Sequence, residues 1–243
     1  MKRVVVTGMS ALTSLGTDWG DFKENIVSRK TGVTYMKEWD QYPDLHTRLG
    51  APITDFETPA HYTRKQIRSM GRVSLLSTRA TELALIDANL LDDPILHTGE
   101  VGVAYGSSTG STSAMLDFSN MLLNQSMDGI TATTYIRMMP HTTPVNIGIF
   151  FGIKGRTLTT SSACTSGSQG IGMAFEMIKY EKQTIMVAGG AEELCPTEAA
   201  VFDTLYATST SNQRPDLSPK PFDETRDGLV IGEGASTLIL EER

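Results

Sequence analysis

Cysteine is scarce in this sequence: only Cys164 and Cys195 occur among 243 residues. Two thiols with dissimilar neighbours exclude a disulfide-stapled scaffold and a cysteine-based metal cluster, and they fit a reducing, cytoplasmic setting. Positive charge is short as well. Lys and Arg number 21 against 28 Asp and Glu, for a net charge of -7. That balance excludes an overall basic nucleic-acid binder. Long apolar runs are missing too, since no segment approaches the ~20 residues that cross a bilayer. The opening MKRVVVTGMSALTSLG is interrupted by Gly8, Ser10, Thr13 and Gly16. It therefore reads as a buried strand and turn and not as a leader. What remains is 40% hydrophobic and 20% charged. This is the balance of a globular domain long enough for a sizeable core.

Along the chain, Lys2 to Gly8 reads as a buried strand with Val4, Val5 and Val6 in a row. Gly16-Thr17-Asp18 supplies a turn and a cap for a helix over roughly Trp19 to Ser28. Lys30 to Thr63 is irregular, with a short strand near Arg48 to Ile53. Arg64 to Leu91 has the period of one long helix. Its basic run (Arg64, Lys65, Arg68, Arg72) is either a solvated face or a docking site for an acidic partner. Val101 to Ser107 is a second apolar strand that runs into the small-residue loop GSSTGSTS, whose spacing fits neither a dinucleotide fingerprint nor a phosphate loop. Thr142 to Gly152 reads as a helix, Gln183 to Glu192 as a central strand, Ala199 to Thr208 as a helix and Gly232 to Leu240 as a closing strand. Strands alternating with helices predict an α/β sheet with helices on its faces.

The chemistry concentrates in Thr157 to Tyr180, TLTTSSACTSGSQGIGMAFEMIKY. A β-branched run passes through small residues into an apolar-periodic helix, and Cys164 sits at the corner. A thiol at a helix N-terminus faces unpaired N–H groups and the positive end of the dipole, which favours the nucleophilic thiolate. Ser162, Ala163, Thr165 and Ser166 are small enough to admit a substrate carbonyl, and Gly167, Gly170 and Gly172 predict close packing of the helix start. The competing reading of Cys164 is a small buried hydrophobe.

SSACTSG, AGGAEE and PFDETRDGLVIGEGA, in that order, resemble the β-ketoacyl-acyl-carrier-protein synthases, most closely the synthase II group of the thiolase superfamily. The resemblance spans residues 1–243, which it makes the N-terminal domain of such an enzyme with the C-terminal half absent. KQIRSMGRVSLLSTRATELAL, MMPHTTPVN and GGAEELCPTEAAVFDTLYATS are similar to ketosynthases of aryl-polyene gene clusters. The implied fold is the layered αβαβα thiolase fold, with the first of its two similar halves in this chain. The implied activity is that of an acyltransferase: a decarboxylative condensation of malonyl-carrier protein with an acyl group held on Cys164, in fatty-acid or polyene/polyketide biosynthesis. The implied partners are an acyl-carrier protein and a second ketosynthase chain, as homodimer or heterodimer. No metal or cofactor is implied, because the substrate arrives on the carrier's phosphopantetheine arm. Histidines and a lysine of the second half would complete the site, so this chain alone is expected to be inactive.

By the same resemblance Thr109, Thr134 and Phe202 line the substrate site. Thr109 aligns with a position that limits acyl length, Thr134 with a stretch near the pocket floor, and Phe202 with a pocket aromatic. Ordinary loop and core roles compete with these assignments. His141 and Cys195 read as structural, and Asp223, Arg226, Asp227 and Glu233 as a buried ion-pair network bracing the site. The rival function is a non-catalytic partner subunit of the chain-length-factor kind. Such look-alikes typically lose the cysteine that this chain keeps.

Overall fold

The computed structural model describes all residues 1–243. In chain order the elements are β1 (Val4–Thr13), α1 (Trp19–Val27), β2 (Thr34–Tyr35), β3 (Leu49–Ala51), α2 (Arg64–Ile67), α3 (Arg72–Asp87) and β4 (Val101–Gly106). They continue with α4 (Thr112–Asn124), α5 (Ala132–Met138), α6 (Thr142–Phe151), β5 (Thr157–Thr160), α7 (Ser166–Lys179), β6 (Ile185–Glu192), α8 (Pro196–Asp203), β7 (Ile231–Gly232) and β8 (Gly234–Glu242).

The first compact unit comprises residues 1–12, 57–192 and 235–243. It is built on a five-stranded sheet in the order β1-β8-β6-β4-β5. β4 is fully buried and runs parallel to both β5 and β6. On one sheet face Ala104, Met186 and Ala188 pack with Ala174 and Ile178 of α7. The alanines keep α7 close to the sheet. Strand alternation sends Tyr105 to the opposite face. Its hydroxyl lies 3.0 Å from Thr237 Oγ1 there, and Thr81 of α3 approaches the same oxygen. Burial pushes the Tyr105 phenol well above the usual tyrosine range.

The second unit comprises residues 13–56 and 193–234 and holds a small sheet, β2-β3-β7. Its core gathers Met36, Trp39, Leu45 and Ala199. The expected cap of α1 is present: Asp18 accepts from the N–H groups of Gly20 at 2.7 Å and Asp21 at 3.1 Å. Those bonds satisfy donors that the first turn leaves open.

Several expectations needed correction. The helix read over Arg64 to Leu91 is two helices, α2 and α3, broken at Gly71. That residue is extended, and a side chain there would collide with Ser111. Helix α8 begins at Pro196 and ends at Asp203, ahead of the span read from periodicity. Proline suits the first helical turn. The stretch after Ser111, which the sequence reading left unassigned, forms α4 and α5.

Candidate active site

Strands β5, β4 and β6 end in register, with Thr160 opposite Gly106 and Gly106 opposite Gly190. The loops that follow these parallel strands share one rim of the sheet, the edge where open α/β sheets place their ligands. Cys164 is on this rim, in the turn between β5 and α7, and it is exposed.

Hydrogen bonds shape the turn. The Ser166 hydroxyl donates to the Ala163 carbonyl at 2.6 Å and accepts from the Ser162 N–H at 2.9 Å. The Thr165 hydroxyl donates to the Ser162 carbonyl at 2.9 Å. This clasp holds Ala163 at φ 53°. A residue with a Cβ adopts that left-handed conformation at some cost. The strain falls one residue before the cysteine, and the chain reverses there so that the thiol faces outward.

Glycines bring the turn down onto the sheet. A Cβ on Gly106 would lie 2.6 Å from the Ser166 carbonyl carbon, and one on Gly170 would lie 2.8 Å from the Ala104 carbonyl oxygen. Gly167 faces Gly190 backbone to backbone. Gly172 departs from the expectation, since a side chain there would meet open space.

Thr109 lies in the loop after β4, on the same rim. Thr134 is fully buried in α5, with its hydroxyl accepting from the Thr131 N–H at 3.1 Å in a capping box. Phe202 belongs to the second unit, half-buried on α8. His141 stands at the head of α6 with its ring 5.7 Å from that of Tyr135. Cys195 is buried, with its sulfur 2.8 Å from the Thr197 hydroxyl, and both cysteines are free thiols.

The expectation of a buried ion-pair network is corrected for Asp223, Arg226 and Asp227, which are exposed, whereas Glu233 is buried. The Arg226 guanidinium donates to the Asp223 main-chain carbonyl at 2.8 Å. Asp227 accepts from the hydroxyls of Ser209 and Ser211 at 2.9 and 2.8 Å, and Glu233 accepts from the Ile53 N–H at 3.0 Å. These carboxylates secure loop backbone and hydroxyls, the polar groups that folding would otherwise leave without partners.

One rim residue escaped the sequence reading. Glu192, at the end of β6, turns its carboxylate onto the β4–α4 loop. It accepts from the N–H groups of Ser108 at 2.8 Å and Thr109 at 3.0 Å, and from the hydroxyls of Ser107 and Thr109, each at 3.2 Å. Burial pushes this carboxyl above its ordinary range, and the bonds from Ser108 and Thr109 offset part of that rise. The available signal was a carboxylate following a double glycine at the end of a buried strand.

A parallel-stranded rim, a clasped turn and an exposed thiol define an α/β domain with its candidate site at the strand ends. The chain belongs to the β-ketoacyl synthase N-terminal domain family, whose model matches residues 1–243. It is 53% identical to a β-ketoacyl synthase from Burkholderia phymatum STM815, with a TM-score of 0.98 over 100% of this chain and 60% of that one. It is 31% identical to a 3-oxoacyl-acyl-carrier-protein synthase 2 of Synechocystis, over 99% of this chain and 58% of the relative. A type II polyketide acyl-carrier protein in complex with its ketosynthase, bound to the hexaketide, is similar at 26% identity and a TM-score of 0.77, over 99% of this chain and 58% of that one. The fold is therefore the thiolase-like ketosynthase fold, and the chain spans 58% of the length of the Synechocystis relative.

Proposed function

We propose that this chain carries the nucleophile of a β-ketoacyl-acyl-carrier-protein synthase, with Cys164 as the acyl acceptor. The observation that carries the reading is the exposed Cys164 on a hydrogen-bonded turn at the shared ends of β4, β5 and β6. The Cys164 thiolate attacks the carbonyl carbon of an acyl thioester. A carbon–sulfur bond forms, the carrier's thiolate leaves, and the acyl group rests on the enzyme. Malonyl-carrier protein then loses carbon dioxide. The electron pair of the broken carbon–carbon bond becomes a carbanion that attacks the acyl-cysteine carbonyl, and the Cys164 thiolate departs. The product is a β-ketoacyl chain two carbons longer. Each attack develops negative charge on a carbonyl oxygen, and the backbone N–H of Cys164 is the donor this chain offers it. Thr109, Thr134 and Phe202 are the proposed acyl-site residues. The chemistry calls for no metal or cofactor. The partners in this reading are an acyl-carrier protein and a second ketosynthase chain.

The deciding experiment mixes the full-length protein with acyl-carrier proteins of differing acyl type and measures intact mass. The expected result is an acyl adduct on Cys164 that is absent from Cys164→Ala. A folded protein that takes no acyl group from any donor would overturn the reading in favour of a non-catalytic partner subunit.

A further inference from the structure

We propose that Glu192 is a positioning residue for the acyl site, holding the 107–110 loop against β6 and so fixing where Thr109 stands relative to the cysteine turn. The inference rests on the reading of Cys164 as the acyl acceptor.

Three observations converge on it. First, four donors from three consecutive residues (the Ser107 hydroxyl, the Ser108 N–H, and the N–H and hydroxyl of Thr109) aim at one carboxylate. A carboxylate can accept bonds at both oxygens, whereas an amide of the same shape presents a donor on one side. Second, the loop has little freedom elsewhere. Ser107 also accepts from the Gly110 N–H at 3.0 Å, and a side chain on Gly110, at φ 77°, would sit 2.8 Å from the Met139 carbonyl. The carboxylate therefore anchors, from the β6 side, a loop already seated close to the end of α5. Third, the anchor and the nucleophile share a scaffold. Glu192 follows Gly190 by two residues, Gly190 packs on Gly167 of α7, and Gly106, just before the loop, packs on Ser166. Moving the loop relative to β6 therefore moves Thr109 relative to Cys164.

Steady-state acylation of the full-length protein by short-chain and long-chain acyl-carrier proteins tests this. Glu192→Gln keeps the size but puts an N–H₂ where one carboxylate oxygen accepts from the Ser108 N–H at 2.8 Å. The ratio of long-chain to short-chain kcat/KM is expected to change by about tenfold, the size of effect left by one unpaired buried donor. Thr109→Val, which replaces the hydroxyl bonded to the carboxylate by a methyl group, is expected to shift the ratio in the same direction by less. Carboxymethylation of Cys164 by iodoacetamide reports whether the turn itself has moved. An unchanged ratio in both variants overturns the proposal, and so does an equal loss on all donors with a matching loss of iodoacetamide reactivity, which marks a purely structural carboxylate. If Glu192→Gln does not fold, Ser107→Ala, which removes one donor to the carboxylate and leaves Thr109 in place, decides instead: an unchanged ratio there overturns the proposal. If wild-type Cys164 takes no acyl group, the underlying reading fails instead, so the two failures are distinguishable.

Discussion

Gly190 and Gly167 meet backbone to backbone: a side chain on Gly190 would begin 2.8 Å from the Cα of Gly167. The start of α7, and with it the cysteine turn, is pressed onto β6 at this point. Gly190→Ala cannot be absorbed by a flexible side chain, since the opposing atom is backbone. It is expected to cost about 1–3 kcal/mol, the usual range for overpacking. It should also slow acylation of Cys164 by displacing the turn. Thermal unfolding and single-turnover acylation check the two effects, and wild-type values in both would refute the contact's importance.

Arg64, Lys65 and Arg68 form a basic group on and just after α2. If an acidic carrier protein docks there, Arg68→Glu combined with Lys65→Glu should raise KM for acyl-carrier protein about tenfold or more at low salt, with the gap narrowing as salt rises. The reaction of Cys164 with iodoacetamide needs no docking and serves as the control. Equal effects on carrier-dependent and carrier-free reactions would make the run a solvated face.

Asp203 is a buried carboxylate, and its role is stabilising. Burial alone would raise its pKa. Bonds from the Thr208 hydroxyl and from the N–H groups of His46 and Thr47, with the His46 ring alongside, draw it down to about 2. A folded-state value below the ordinary carboxylate value of 3.8 means that the unfolded chain binds a proton first as pH falls. The contribution, roughly 2 kcal/mol, is present above about pH 4 and lost between about pH 4 and pH 2. Asp203→Asn should flatten the pH dependence of unfolding in that window. A wild-type slope there would show that Asp203 is not its source.

Glu82 closes a comparable cluster on α3. It meets His61 Nε2 at 2.6 Å and accepts from the Tyr62 hydroxyl at 3.0 Å and from Arg79. Burial opposes the charge, yet the bonds from His61, Arg79 and Tyr62 hold its pKa below the ordinary value. Glu82→Ala strands a buried phenol and a guanidinium, and about 2–4 kcal/mol of stability should be lost. Glu82→Gln keeps part of the network and should fall between wild type and alanine in denaturant titration.

The strand, corner and helix around Cys164 were legible because local sequence dictates them: β-branched residues, then small ones, then an apolar period. The cap at Asp18 was legible for the same reason. The break before Gly71 was not: the contact that leaves no room for a side chain there is with Ser111, forty residues further on. Helices α4 and α5 were left unassigned; in the fold Leu116, Leu122 and Leu123 of α4 are exposed, so this helix does not bury the apolar stripe that usually marks one. The motif spanning Asp223 to Glu233 misled in another way. Charge density suggested mutual pairing, while for Asp223 and Asp227 loop backbone and hydroxyls supply the partners. Glu192 went unread because the loop it holds lies more than eighty residues before it in the chain.

The placement of β8 between β1 and β6 bears on how the protein is made. Of the five strands in this sheet β1 leaves the ribosome first, yet its neighbour is the strand spanning residues 234–242, which follows all the others. Lys2 and Glu242 pair at 2.5 Å, and the Arg243 N–H donates to the Arg3 carbonyl. While the intervening residues are translated, the Val4–Val6 edge therefore has no strand to join, and closing so long a loop is slow. The nascent chain must keep that apolar edge from other strands until β8 has emerged, which makes β1 the segment a chaperone would guard.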